Sequence, residues 1–338
     1  MTSRTSGGAV LGSATLVAGN GGRKYDTIHS FLAARLPHNT VQPLLTYGTN
    51  RMAKQSSQSL SDEQIHQIWH QYLTTGTVPD FVPQAWFENK ALRAVAKHLP
   101  SDPRCSLCHY PFEGMGGALS KVLLNLEPSD VNPNICNVCE RFGLRYQGGA
   151  EVNMSMLFAD VRGSTALAEQ MPADQFSQLI HRFYRRTTRQ IFAAEGWVEK
   201  LIGDEVTGLF LPGFVGPDHA RVALETAAAI LKACGYGQDA EPWIPVGVGV
   251  HTGMTYVGSV NVDGGEANIT ALGDAMNTAA RLTSLAGPGE IMFSDDLARA
   301  AGIDPEGMPG RTVEVKGRSQ PVDVWVADYD RLTRLSLA

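Results

Sequence analysis

Asp160 and Asp204 each stand where apolar residues give way to a turn. Met154 to Ala159 (MSMLFA) leads into Asp160 and the turn Val161 to Thr165, and Lys200-Leu201-Ile202 leads into Gly203-Asp204-Glu205. A carboxylate that closes a strand is held on a rigid element yet reaches solvent, as a site for metal ions and phosphates requires. Gly163 and Gly203 beside the two turns let backbone N–H groups approach phosphate oxygens. Taken alone, such an aspartate is an ordinary turn residue that bonds its own backbone. Two of them, each with its glycine, read as a pair of divalent-metal ligands.

A third segment, Ala271 to Leu282 (ALGDAMNTAARL), places Asn277 and Arg281 four apart, one turn above the other on a helix. Met276, Ala279 and Ala280 can pack that helix down while the polar pair projects outward. A fourth holds Cys105-x-x-Cys108 and Cys136-x-x-Cys139, separated by residues 109–135. Paired Cys-x-x-Cys knuckles offer four thiolates to one ion, and Zn2+ is the default occupant in a reducing compartment. An iron–sulfur cluster, redox-active disulfides and, for Cys105-Ser-Leu-Cys108-His109, haem attachment are the rivals. Cys234, with Ala227, Ile230 and Leu231, reads as core.

The elements that must position these residues follow from periodicity. Strand Met154 to Asp160 precedes a helix from about Pro172 to Ala194, where Phe176, Leu179, Ile180, Phe183 and Ile191 keep the helical period. Val198 to Ile202 and Val206 to Leu211 form a hairpin with Gly203-Asp204 at its tip. A helix from Asp218 to Cys234 leads to strands at Ile244 to His251, Tyr256 to Val260 and Asn268 to Leu272, then to the Asn277 helix. Short strands near Ile291 to Phe293, Arg311 to Val315 and Val322 to Ala327 close a sheet with helices on one face, an α+β arrangement.

Upstream, Ser61-Asp62-Glu63 caps a helix that carries Ile65, Ile68, Trp69 and Leu73, and a second helix covers Pro83 to Leu99. Residues 1–55 read as a flexible leader, 56–103 as helical, 104–145 as the four-cysteine module with a glycine-rich loop between its knuckles, and 150–330 as the main domain. With 43% apolar and 18% charged residues over 338 positions, the chain can bury two domains. A net charge of −6 with no basic run argues against nucleic acid. The longest apolar run, Ala9 to Gly19, is too short to span a bilayer and a poor export signal, so a cytoplasmic place is expected.

In their order and spacing, the segments FADVRGST, KLIGDE and ALGDAMNTAARL resemble the catalytic core of the class III nucleotidyl cyclases, which make cyclic AMP or cyclic GMP. Val246 to Gly258 (VGVGVHTGMTYVG) and Val315-Lys316-Gly317 extend the likeness from about Ala150 to Asp328. The resemblance implies a ferredoxin-like βαββαβ domain behind a small helical and metal-knuckle module. It implies Mg2+ or Mn2+ on Asp160, Asp204 and the Val161 carbonyl, N–H donors from Val161 to Thr165 (Gly163, Ser164 and Thr165 among them), and Lys316 on the terminal phosphate. Arg281 would stabilise charge on the reacting phosphorus and Asn277 would orient the ribose.

Lys200 and Thr270 occupy the family's two base-reading positions. Lysine marks ATP users and threonine a bacterial-type subgroup, so adenylate cyclase is the expected activity. Glu199 stands next door, and strict strand alternation turns only one of Glu199 and Lys200 toward the base. Met254 replaces an arginine that some relatives aim at the phosphates, shifting that charge to Arg162, Lys316 or the backbone. The family builds its site between two catalytic domains, and this chain carries one full set, so a homodimer with two equivalent sites is expected. A guanylate cyclase, or a non-catalytic module binding nucleotide or a partner, are the alternatives.

Overall fold

The computed structural model describes residues 60–82, 103–105, 107–129, 135–237, 241–262, 266–315 and 321–335. The leader, the helix read over Pro83 to Leu99 and Lys316 lie outside them. Ser61 opens the first helix through a reciprocal cap: its hydroxyl accepts from the Gln64 N–H at 3.2 Å, and the Gln64 side chain accepts from the Ser61 N–H at 3.0 Å. Helix α1 (Asp62–Thr75) then buries Ile68, Trp69, Tyr72 and Leu73. Two further helices, α2 (Gly114–Leu124) and α3 (Asn137–Arg145), lie in the cysteine segment. The loop expected between the knuckles is thus partly helical. Gly117 serves close packing there: a Cβ on it would stand 2.3 Å from the Phe112 carbonyl.

From there the chain runs through β1 (Gly148–Val161), α4 (Ser164–Gln170), α5 (Ala173–Ala193), β2 (Trp197–Ile202) and β3 (Glu205–Phe210). Next come α6 (Pro212–Val215), α7 (His219–Ala233), β4 (Val246–Val262), β5 (Glu266–Leu272) and α8 (Asp274–Leu285). The last elements are β6 (Glu290–Ser294), α9 (Asp295–Ala301), β7 (Gly310–Val313), β8 (Val322–Asp328) and α10 (Tyr329–Leu335). One sheet has the order β2-β3-β1-β4-β6-β8-β7, with β5 also paired to β4. Its β2-β3-β1-β4 portion, with α5 and α7 as crossovers, is the expected ferredoxin-like βαββαβ core.

β1 lies at the centre of that core. Its residues Ser155 to Asp160 pair antiparallel with Phe210 to Glu205, and Gly148 to Val161 pair antiparallel with Ser259 to Val246. Its alternate residues enter separate cores: Leu157, Ala159 and Val161 pack with α5 and α7, whereas Met154, Met156 and Phe158 pack with α1, α8 and the cysteine segment. Helices therefore cover both faces of the sheet, where the sequence reading had placed them on one. The strands read separately at Ile244 to His251 and Tyr256 to Val260 are one strand, β4, because its glycines at 247, 249, 253 and 258 interrupt the apolar pattern and not the ladder. Among the described residues, no helix is long and apolar enough to cross a membrane.

Candidate active site

The β1 end and the β2–β3 turn are brought together by the sheet register. Asp160 lies opposite Glu205, and the Val161 N–H donates to the Asp204 carbonyl at 3.3 Å. Gly203 makes the turn in the left-handed region at φ 62°, with open space around it, so the backbone conformation and not packing requires glycine. Tyr184 of α5 clamps this turn, its hydroxyl donating to the Gly203 carbonyl at 2.6 Å. Burial, and then the Asp204 charge, push the Tyr184 phenol up. Burial followed by Asp204 also pushes the Glu205 carboxyl up, against the pull of Arg162. Two acidic side chains thus repel one another where Asp204 and Glu205 crowd, which is what a divalent cation would relieve.

Arg162 takes part of that role within the chain. Its guanidinium forms an ion pair with the Asp160 carboxylate and donates to the Thr283 carbonyl at 3.3 Å. Burial lowers its pKa, while Asp204 and Glu205 oppose that shift. Two of the backbone N–H groups expected to face phosphate are already paired. The Val161 N–H is spent on Asp204 and the Arg162 N–H on the Pro245 carbonyl at 2.8 Å, which leaves Gly163, Ser164 and Thr165 at the start of α4.

A second group forms around Lys200. β2 carries a bulge between Val198 and Lys200, so Glu199 is the extra residue and alternation is broken there. Glu199 and Lys200 consequently reach the same place, contrary to the expectation that only one could. Lys200 Nζ lies 2.8 Å from Glu199 Oε1 and 3.3 Å from Thr270 Oγ1, and Thr270 Oγ1 donates to Glu199 Oε1 at 2.7 Å. Bulges leave no fixed residue signature, so this one was not legible in the sequence. Tyr184 was missed because Phe183 beside it carries the helical period.

Asn277 and Arg281 stand on the exposed face of α8, whose buried side is Ala275, Thr278, Ala279, Leu282 and Thr283. The Thr283 hydroxyl anchors that helix to β1 through the Phe158 carbonyl at 3.3 Å. Neither exposed side chain joins the aspartates or Lys200 by a hydrogen bond or ion pair among the described residues. Met254 is also exposed.

The four knuckle cysteines converge. Their sulfurs all lie within 4.8 Å of one another, with Cys105–Cys139 at 3.8 Å and Cys108–Cys136 at 3.6 Å. Tetrahedral ligation at about 2.3 Å per Zn–S bond separates sulfurs by roughly 3.8 Å, so the cluster has the size of one ion. The Cys136 and Cys108 N–H groups donate to Cys105 Sγ at 3.2 and 3.5 Å. Burial opposes ionisation of Cys105, but hydrogen bonds from the other three thiols hold it well below the usual thiol value. This cluster could hold a metal ion. Cys234, by contrast, is core, and burial pushes its thiol up to about 12.

A family profile described as the adenylate and guanylate cyclase catalytic domain matches residues 148–328, from the first residue of β1 to the last of β8. The chain belongs to this family. An adenylate cyclase of Anabaena cylindrica is 27% identical over 182 residues, 51% of this chain and 36% of that protein. An uncharacterized protein of Mycobacterium tuberculosis is 30% identical over 181 residues, 52% of this chain and 31% of that protein. The chain thus spans about a third of the length of the curated relatives it matches. Among solved structures, the adenylyl cyclase CyaB from P. aeruginosa aligns with a TM-score of 0.47 at 25% identity, over 53% of this chain and 96% of that one. The guanylyl cyclase Cya2 aligns with a TM-score of 0.48 at 24% identity, over 53% and 93%. The family description names both nucleotides, so membership leaves the choice of nucleotide open.

Proposed function

We propose that this cyclase converts ATP to 3′,5′-cyclic AMP and pyrophosphate, at two equivalent sites in a homodimer. One observation carries the choice of ATP: the Lys200 ammonium and the Thr270 hydroxyl meet at 3.3 Å, although β2 and β5 are not neighbours in the sheet. A donor beside a hydroxyl matches the N1 and 6-amino edge of adenine. Guanine would favour a free carboxylate for its N1–H and 2-amino donors, and the Glu199 side chain is withdrawn to 2% exposure behind the pair.

In the reaction, the 3′ oxygen loses its proton and bonds to the α-phosphorus as the bond to the β-phosphate oxygen breaks. Asp160, Asp204 and the Val161 carbonyl are hard oxygen donors of the kind that hold Mg2+ or Mn2+. Bound there, two such ions supply a lower pKa for the 3′ hydroxyl and neutralise the triphosphate. The N–H groups of Gly163, Ser164 and Thr165 donate to β and γ oxygens, and Lys316 adds charge at the terminal phosphate. Arg281 stabilises the charge that grows on the five-coordinate phosphorus, and Asn277 orients the ribose.

Exposed apolar side chains support pairing of two copies. Leu201 and Ile202 on the β2–β3 hairpin, Met254 and Tyr256 on β4, and Leu272 at the end of β5 are all exposed, around the elements that carry Lys200 and Thr270. The four cysteines are assigned structural Zn2+, on their one-ion spacing. Incubation with Mg2+ or Mn2+ and either ATP or GTP, followed by identification of the cyclic product, tests the activity. Cyclic AMP from ATP is the expected result. A preference for GTP would make it a guanylate cyclase, and no product from either would leave a silent binding module.

A further inference from the structure

We infer that Glu199 is a specificity-positioning residue, which fixes Thr270 as a hydrogen-bond acceptor and thereby selects adenine against guanine. The inference rests on the reading of Lys200 and Thr270 as the base-contacting pair. Glu199 enters the site only because of the bulge that places it out of step with Val198 and Lys200. Its side chain is 2% exposed, and a carboxylate so placed must be paired. It has two partners on one oxygen, Lys200 Nζ at 2.8 Å and Thr270 Oγ1 at 2.7 Å. Lys200 stays 41% exposed and also reaches Thr270 at 3.3 Å, so the three side chains close a triangle with its open corner toward solvent.

A threonine hydroxyl has one proton and two lone pairs. Unaided it can donate or accept, and would serve a 6-amino group or a 6-keto oxygen equally. Here the proton goes to Glu199, because a carboxylate facing an ammonium can only accept. One lone pair faces Lys200 Nζ. What remains for a ligand is the second lone pair, an acceptor. Adenine offers an N6–H to that lone pair and its N1 lone pair to a free Lys200 N–H. Guanine brings O6 against the Thr270 lone pair and N1–H against the ammonium, two mismatches. Thr270 thus does the work that an aspartate would do directly, with Glu199 supplying the polarity from behind.

The test is the ratio of kcat/KM for ATP to that for GTP in the wild type, Glu199→Gln, Thr270→Val and the double variant. A glutamine can turn its amide to donate to Thr270, which frees the hydroxyl proton for O6. The ratio is expected to fall by about tenfold or more in Glu199→Gln, and adding this change to Thr270→Val is expected to move it no further. The wild type supplies a probe that needs no variant to fold: purine riboside triphosphate, which lacks any 6-substituent and keeps its N1 lone pair, should be a better substrate than inosine triphosphate, whose 6-keto oxygen meets the fixed lone pair and whose N1–H meets the ammonium. An unchanged ratio in Glu199→Gln, equal losses for both nucleotides, or inosine triphosphate used as well as the unsubstituted purine would each overturn the role given to Glu199. A wild type that prefers GTP, or makes no cyclic product, would instead refute the adenylate cyclase reading on which it rests.

Discussion

Arg281 projects from the exposed face of α8, so its removal should be felt in chemistry and not in folding. Arg281→Ala is expected to lower kcat about 100- to 1,000-fold with KM changed only a few-fold, and to leave thermal stability unchanged within about 0.5 kcal/mol. Steady-state kinetics with a parallel melt would check both halves, and a loss confined to KM would contradict the role. Cys234 makes the opposite case, a buried group with no part in the site. Its thiol is raised to about 12 in the folded chain, above its unfolded value, so the neutral form is favoured by folding. That contribution is complete below about pH 9 and is lost as pH rises toward 12, by up to roughly 1.4 kcal/mol per pH unit. Denaturant titrations between pH 8 and 11 should show a steeper loss in the wild type than in Cys234→Ala. The placement of Asp160 and Asp204 at a strand end and a hairpin turn, and of Asn277 and Arg281 on one face of a helix, was legible in the sequence because each sits in a short run of fixed spacing. Glu199 was not, since its orientation depends on a one-residue bulge that no residue type announces.

Helices α1 and α3 join the cysteine cluster to the cyclase domain. Cys136 caps α3 with its sulfur, Cys139 lies in the first turn, and Phe142 packs its ring 5.3 Å from both Trp69 and Tyr72 of α1. The Trp69 indole donates to the Tyr146 carbonyl at 2.7 Å, two residues before β1 begins. Sulfurs, aromatic rings and the Met154 and Met156 side chains of β1 form one continuous core. Metal ligation at the knuckles should therefore stabilise the packing above the sheet. Cys139→Ser is expected to lose the bound metal and lower the melting temperature, and Trp69→Ala should cost about 3–5 kcal/mol. Metal analysis of the purified protein is expected to give one zinc per chain in a colourless solution. An absorbing iron centre, or a Cys139→Ser variant as stable as the wild type, would contradict this. The capping box at Ser61 and the period of α5 were readable locally, as were β2 and β3. The helix α2 was hidden by its glycines, of which Gly117 serves close packing, and β4 was split in reading by glycines that leave its pairing intact.

Across the whole molecule, the family match from β1 to β8 makes the sheet a nucleotidyl cyclase domain, and the proposal that two copies complete each site belongs at this scale. The succession of strands and helices in the core followed from the sequence, because each keeps its own period. The cover on both faces did not, because α1 and the cysteine segment lie before the domain in the chain and only tertiary packing brings them onto β1. In one chain, Asp160 and Asp204 stand at the end of β1 and the β2–β3 turn, while Asn277 and Arg281 face outward from α8. A homodimer predicts that damage to the two sets is complementary: a mixed dimer of Asp160→Ala and Arg281→Ala keeps one intact site. The most direct measurement is cyclic AMP formation from ATP by the two variants, alone and mixed under conditions where subunits exchange. Each variant alone should be nearly inactive, and the mixture should approach about a quarter of wild-type activity, since half of the dimers are mixed and each of these holds one good site of two. A mixture no more active than its parents would contradict the shared-site account.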